Sequence, residues 1–139
     1  MSLKEDVVQR LKDEEGFSAK LYLCPANKQT IGYGFNLDVL RMPKAVANLW
    51  LEILYDDLDR DIRKGFPNFG YYPIPVQKAL MDMVYNMGID GVLAFKKTIK
   101  LIDDKKYSEA AKELLNSEYG RGVTKNRALR NSKLIKGAI

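Results

Sequence analysis

Lys12-Asp13-Glu14-Glu15-Gly16-Phe17-Ser18-Ala19-Lys20-Leu21-Tyr22-Leu23-Cys24-Pro25, continued by Thr30-Ile31-Gly32-Tyr33-Gly34, is the stretch on which the fold turns. Before it, Leu3, Val7, Val8 and Leu11 recur at helical spacing and predict a helix over about 3–15, with Gly16 as its C-terminal stop. Residues 17–24 alternate as a strand does, Pro25-Ala26-Asn27-Lys28 carries turn chemistry, and 29–34 reads as a second strand. A β-hairpin over 17–34 is therefore expected. A two-stranded hairpin is marginal on its own and needs something to pack on.

Beyond Asn36 the pattern turns helical and stays so. Pro43 suits a first helical position, and Leu49, Ile53, Leu54, Leu58 and Ile62 keep helical spacing up to Lys64, with Gly65 as the stop. An aromatic, Pro/Gly-rich connection follows over 66–75. A helix with the stripe Val76, Leu80, Met83, Val84 and Met87 comes next, stopped by Gly88. Further helices carry Val92, Phe95, Ile99 and Ile102, then Tyr107, Ala110, Ala111, Leu114 and Leu115. A last one begins near Thr124, a suitable N-cap. Met83, Val84 and Met87 read as core. One small sheet at one end of an otherwise helical chain predicts an α+β fold rather than α/β. The long helix from Pro43 would join a small β lobe to a larger helical lobe, and a cleft between two such lobes is a common place for a binding site.

The chain has 139 residues, of which 46% are hydrophobic and 29% charged. A chain of this length buries roughly 68–70% of its unfolded surface and needs no disulfide or metal to fold. No apolar run approaches the ~18 residues of a membrane span, and the charged start Lys4-Glu5-Asp6 is followed by no signal-peptide h-region. The net charge of +5 favours anionic partners without choosing among them. There is no histidine, which excludes Ser-His-Asp triads, Cys-His dyads and His-ligated zinc. The single cysteine, Cys24, excludes an internal disulfide and Cys-based metal cages. Proton chemistry without a cofactor would fall to carboxylates, Lys, Tyr or that thiol.

Leu3, Val7 and Leu11 step by four, and Glu15 is the next step, with Glu14 near the same face. Periodicity does not choose between the two carboxylates, and both could be solvated on an exposed last turn. Either would emerge at the end of a packed stripe, and a carboxyl partly removed from water has the raised pKa that a general acid needs. Gly32 and Gly34 at alternate strand positions mark a kinked edge or a close backbone approach, such as a sugar ring lying against the strand would require.

Glu15-Gly16-Phe17, Lys20-Leu21-Tyr22-Leu23-Cys24-Pro25 and Thr30-Ile31-Gly32-Tyr33-Gly34 together resemble the signature of the phage-type lysozymes, the T4 lysozyme-like endolysins of glycoside hydrolase family 24. That family carries Glu-Gly, then Asp or in some members Cys-Pro nine positions after the Glu, then a Thr six positions later before Ile-Gly-x-Gly. Glu15, Cys24 and Thr30 keep both spacings. The likeness resumes at Ala79–Gly88, Gly91-Val92 and Phe95, at Lys105–Ala111 and at Asn126-Arg127-Ala128, and it weakens over 35–65. It implies one lysozyme-like domain over 1–139. A small β lobe would span about 13–42, a connecting helix about 43–65, and a helical lobe about 66–139 plus the N-terminal helix.

By this likeness Glu15, not Glu14, is the general acid of a muramidase. It would protonate the glycosidic oxygen of the β-1,4 bond between N-acetylmuramic acid and N-acetylglucosamine in peptidoglycan. Arg127 matches a family Arg that contacts the acid. A partly buried carboxylate needs such a partner, although the Arg lowers the carboxyl pKa while burial raises it. Inverting glycosidases hold a water opposite the acid. The family does so with its Asp and Thr, here Cys24 and Thr30. A thiol of pKa about 8.5 is only a few per cent thiolate at neutral pH, whereas a carboxylate of pKa about 3.9 is ionised. Lys28 would favour its thiolate and an ionised Glu15 would oppose it. Cys24 could thus be a thiolate base or electrostatic stabiliser, a covalent nucleophile, or a bystander to Thr30. Asn86 sits where the family has a polar cleft residue, and the expectation is hydrogen bonding to an N-acetyl sugar. Phe35-Asn36 departs from the family's His-Thr, and Tyr119 keeps no clear register.

Three other readings compete. A lytic transglycosylase would cut the same bond with a single Glu, a catalytically weak relative would only bind peptidoglycan, and a basic helical domain could bind nucleic acid. The resemblance implies no cofactor and no metal, peptidoglycan rather than nucleic acid as partner, no stable membrane insertion, and a monomer. It also implies accumulation in the host cytoplasm before release to the cell wall.

Overall fold

The computed structural model describes residues 1–138. Helix α1 (Leu3–Glu15) leads into strands β1 (Ser18–Leu23), β2 (Gln29–Gly32) and β3 (Phe35–Asn36). Helices α2 (Lys44–Gly65), α3 (Ile74–Leu93), α4 (Lys96–Asp103), α5 (Tyr107–Leu115), α6 (Glu118–Arg121) and α7 (Lys125–Lys136) follow, with a 3₁₀ turn at Phe69–Tyr71. This is the expected mainly helical α+β fold. The chain divides into two compact units, Met1–Leu49 and the residues from Trp50 onward.

In the first unit, α1 opens with a capping box. The Glu5 N–H donates to Ser2 Oγ at 3.2 Å and the Ser2 N–H to Glu5 Oε2 at 3.0 Å, satisfying two of the helix's orphan donors. The helix ends at Gly16, whose φ of +67° suits a residue without a β-carbon. The sheet is antiparallel in the order β1-β2-β3, with a bulge in β1 between Ser18 and Tyr22. It corrects the two-stranded reading. Strand β2 stops at Gly32, and the chain reverses to pair Ile31 with Phe35 and Thr30 with Asn36. Gly32 (φ +68°) and Gly34 (φ +66°) take the left-handed conformations that reversal needs, so Gly34 belongs to a turn and not to a strand.

The expected packed stripe of α1 is not buried: Leu3, Val7, Val8 and Leu11 are all exposed. Strands of six, four and two residues offer too little apolar area to cover it.

The second unit holds the core. Ile62 at the end of α2, with Phe66 and Phe69 beyond it, is buried against Val76, Ala79, Leu80, Met83 and Val84 of α3. Ala110, Ala111 and Leu114 of α5 and Ala128 and Ile135 of α7 complete it. Helix α7 packs on both α3 and α5, and α4 packs on α5. The predicted stripe of α3 is therefore its buried face, with Met87 partly buried beside it. Each fully buried aliphatic side chain contributes about 1.5–3 kcal/mol. Gly88 (φ +79°, ψ +164°) breaks the helical geometry where a stop was read, and a short helical run resumes to Leu93. No helix among the described residues is long and apolar enough to cross a membrane.

Candidate active site

The last turn of α1 delivers Glu15 to the β2–β3 turn. A β-carbon on Gly34 would lie 2.7 Å from Glu15 Cδ, so the glycine backbone itself forms the floor under the carboxyl group. No other amino acid could occupy position 34 without displacing that carboxyl or straining its own positive φ. Glu15 is exposed. The withdrawal from water expected of it is not built by the neighbouring strands. Gly34 thus approaches a side chain of its own chain, while Gly32 faces the ring of Phe35, with 2.7 Å from an ideal β-carbon to Cδ2.

Cys24 and Thr30 come together at the other end of β2. Residues 25–27 form a three-residue hairpin loop. The Asn27 N–H donates to Cys24 O at 2.8 Å, Asn27 itself is left-handed (φ +62°), and the Cys24 N–H closes the loop on Lys28 O at 3.0 Å. This is a type I turn followed by a left-handed residue, for which Pro25 and Asn27 are well chosen. The Lys28 N–H points back at Cys24 Sγ, 3.4 Å away. That bond holds the thiol below its ordinary pKa, outweighing partial desolvation. Thr30 is buried, and its hydroxyl donates to Lys28 O at 2.8 Å. Lys28 acts here through its backbone, whereas the sequence pointed to its charge.

The second unit assembles a different group. Arg127 of α7 grips Asp82 of α3 with both arms of its fork, Nε to Oδ2 at 2.8 Å and Nη2 to Oδ1 at 2.9 Å. The Asn131 amide, one turn further along α7 and buried, donates to Asp82 Oδ2 at 2.8 Å and to the Tyr119 hydroxyl at 2.9 Å. The Thr124 hydroxyl donates to Tyr119 O at 2.7 Å, and Phe95 meets the Tyr119 ring edge-on at 6.1 Å. Arg127 holds the Asp82 carboxyl below its usual value, with Asn131 adding to the effect. Burial pushes the Tyr119 hydroxyl up. A cavity of about 390 Å³ opens beside this pair, lined by Lys78, Asp82, Arg127, Arg130, Asn131 and Leu134. Three cations against one carboxylate make it a cationic surface. Asn86 lies one helical turn beyond Asp82, exposed, just before the Gly88 kink.

Asp82, Asn131 and Tyr33 were not singled out from the sequence. Asp82 carried a signal: it is a lone carboxylate inside Leu80-Met81-Asp82-Met83-Val84, and a charge on an apolar helix implies a partner. No group of metal-binding side chains occurs among the described residues.

Residues 12–133 match the family model described as phage lysozyme. Among curated proteins, the chain is similar to a probable T4-type lysozyme 1 of Dictyostelium discoideum, 36% identical over 102 residues, which is 73% of this chain and 51% of that protein. It is also similar to a probable T4-type lysozyme 2 of the same organism, 49% identical over 47 residues, covering 34% of this chain and 28% of that protein. The chain thus spans about half the length, or less, of these relatives.

Proposed function

The chain belongs to the phage lysozyme family, and from that premise we propose that it is a peptidoglycan muramidase. It hydrolyses the β-1,4 bond between N-acetylmuramic acid and N-acetylglucosamine, with Glu15 as general acid and Cys24 and Thr30 handling the water. The observation that carries this reading is the pairing of a carboxyl seated on bare glycine backbone with a thiol and a hydroxyl gathered at Lys28. Both arrangements lie in one compact unit. A general acid must leave its proton-bearing face open to the substrate oxygen, and Glu15 is open. The Lys28 amide favours the thiolate of Cys24, which suits a base or stabiliser better than a neutral thiol would. Arg127, fixed by Asp82, and Asn86 supply substrate-binding or supporting groups of the helical unit, and Gly32 and Gly34 allow close approach at the strand turn. The same reading carries the lobe boundaries given above and an endolysin released to the wall from the host cytoplasm.

The test is digestion of purified Gram-negative peptidoglycan by wild type, Glu15→Gln and Cys24→Ala protein, with mass spectrometry of the products. Reducing-end muropeptides are expected from wild type. Glu15→Gln should lose on the order of 10²–10⁴-fold, the usual contribution of a general acid, and Cys24→Ala should give few products. Undiminished Cys24→Ala would leave the water to Thr30, and anhydro products would make the enzyme a transglycosylase. No product from any of the three would sink the enzyme reading and leave a peptidoglycan-binding relative.

A further inference from the structure

We propose that Tyr33 is a positioning residue for Glu15, acting as a clasp that locks the last turn of α1 onto the β2–β3 turn. This deepens the general-acid reading above and rests on it for its catalytic consequence. Three contacts meet on the Tyr33 ring. Lys12 Nζ stands 5.6 Å from the ring centroid, Phe17 packs at 5.5 Å in a tilted pair, and Phe35 packs at 6.4 Å edge-on. Lys12 precedes Glu15 by three residues and Phe17 follows it by two, so the ring brackets the acid along the chain on both sides.

The next residue, Gly34, carries the carboxyl on its backbone. Tyr33 is flanked by two left-handed glycines, which fix the direction in which the turn presents its ring. Within its own unit the helix has little else to hold its end: α1 buries no residue, and its apolar side chains are exposed. Cation–π and aromatic pairs of this kind set geometry as well as energy. Loss of the ring frees the helix end, and Glu15 leaves its seat on Gly34. A misplacement of about 1 Å at a reacting group costs on the order of 10²-fold in rate. The Tyr33 hydroxyl takes no part, so phenylalanine serves as well.

The experiment uses the whole chain with carboxyl-¹³C-glutamate and reads the Glu15 signal, assigned by its loss in Glu15→Gln. Turnover and KM on soluble peptidoglycan strands are measured in parallel. In Tyr33→Ala the Glu15 signal is expected to shift, kcat to fall by about tenfold or more with KM little changed, and Tyr33→Phe to restore both. Lys12→Met, an exposed change that leaves the fold alone, should move the signal the same way by less, and it keeps the test open should Tyr33→Ala not fold. An unshifted Glu15 signal in Lys12→Met and in every folded Tyr33 variant overturns the clasp. Inactive wild type with the shifts present would sink the muramidase reading alone, since the clasp would still hold.

Discussion

The hairpin unit and the helical unit hold their polar side chains by different means. Glu15 and Cys24 are governed by backbone: a bare glycine lies under the carboxyl, and an amide N–H points at the thiol. Asp82, Arg127, Asn131 and Tyr119 are governed by one another, in a side-chain network anchored on a packed core. The first arrangement leaves the carboxyl exposed and the thiol half-exposed, with few side-chain partners. The second is tied together by hydrogen bonds shared among its members, with Asp82 Oδ2 accepting from both Arg127 and Asn131.

The largest test of this contrast is truncation of matched leucines. Leu114 is fully buried between α5 and its neighbours, and Leu114→Ala should cost about 2–5 kcal/mol in urea unfolding. Leu11 is 53% exposed, and Leu11→Ala should stay within about 0.5 kcal/mol. Equal losses would mean that the stripe of α1 is as well covered as the core, and the contrast would collapse.

A smaller effect is expected at the Asp82–Arg127 pair. Its side chains are 40% and 32% exposed, so solvent screening holds the coupling to about 1 kcal/mol in a double-mutant cycle. The folded-state pKa of Asp82 lies below the ordinary 3.8. The unfolded chain therefore binds the proton more readily. The contribution is present above about pH 4 and is lost as the pH falls through the lower, folded value. Thermal unfolding of wild type and Asp82→Asn should differ at neutral pH and converge in acid. A gap that persists in acid strong enough to protonate Asp82 in the folded chain would mean that packing, not charge, distinguishes them.

The smallest effect concerns Cys24. Thiolate absorbance or the pH dependence of alkylation should place its titration below that of an unperturbed thiol. Replacing Asn27, which keeps the loop closed on Lys28, with valine should raise it again, because a β-branched residue does not hold positive φ. A titration at or above that of an ordinary thiol in wild type would show that the amide is not aimed at the sulfur in solution.

Much of this was legible from local rules. Val76, Leu80, Met83 and Val84 recur with the helical period and are the buried face of α3. Pro25 and Asn27 announce the loop that brings Lys28 back to Cys24. The signature from Glu15 to Gly34 marks the family. The glycines were harder: two glycines at alternate positions fit a kinked strand and a turn alike. The choice went to the turn because Phe35 and Asn36 pair back on β2. Such pairing is a contest among strands that no single segment can settle.

The sequence by itself determined where α1 and the hairpin loop at Pro25–Asn27 lie, which face of α3 meets the core, and which carboxylate follows the family pattern. Those properties depend on neighbours within a few residues, where propensity, capping and periodicity act. Only the tertiary structure decided that Asp82 takes the fork of Arg127 from 45 positions away. It alone seated Glu15 on Gly34 and put the Tyr33 ring between Lys12 and Phe17. Those partners meet because packing and strand register bring distant backbone together, and pattern within a segment carries no record of that distance.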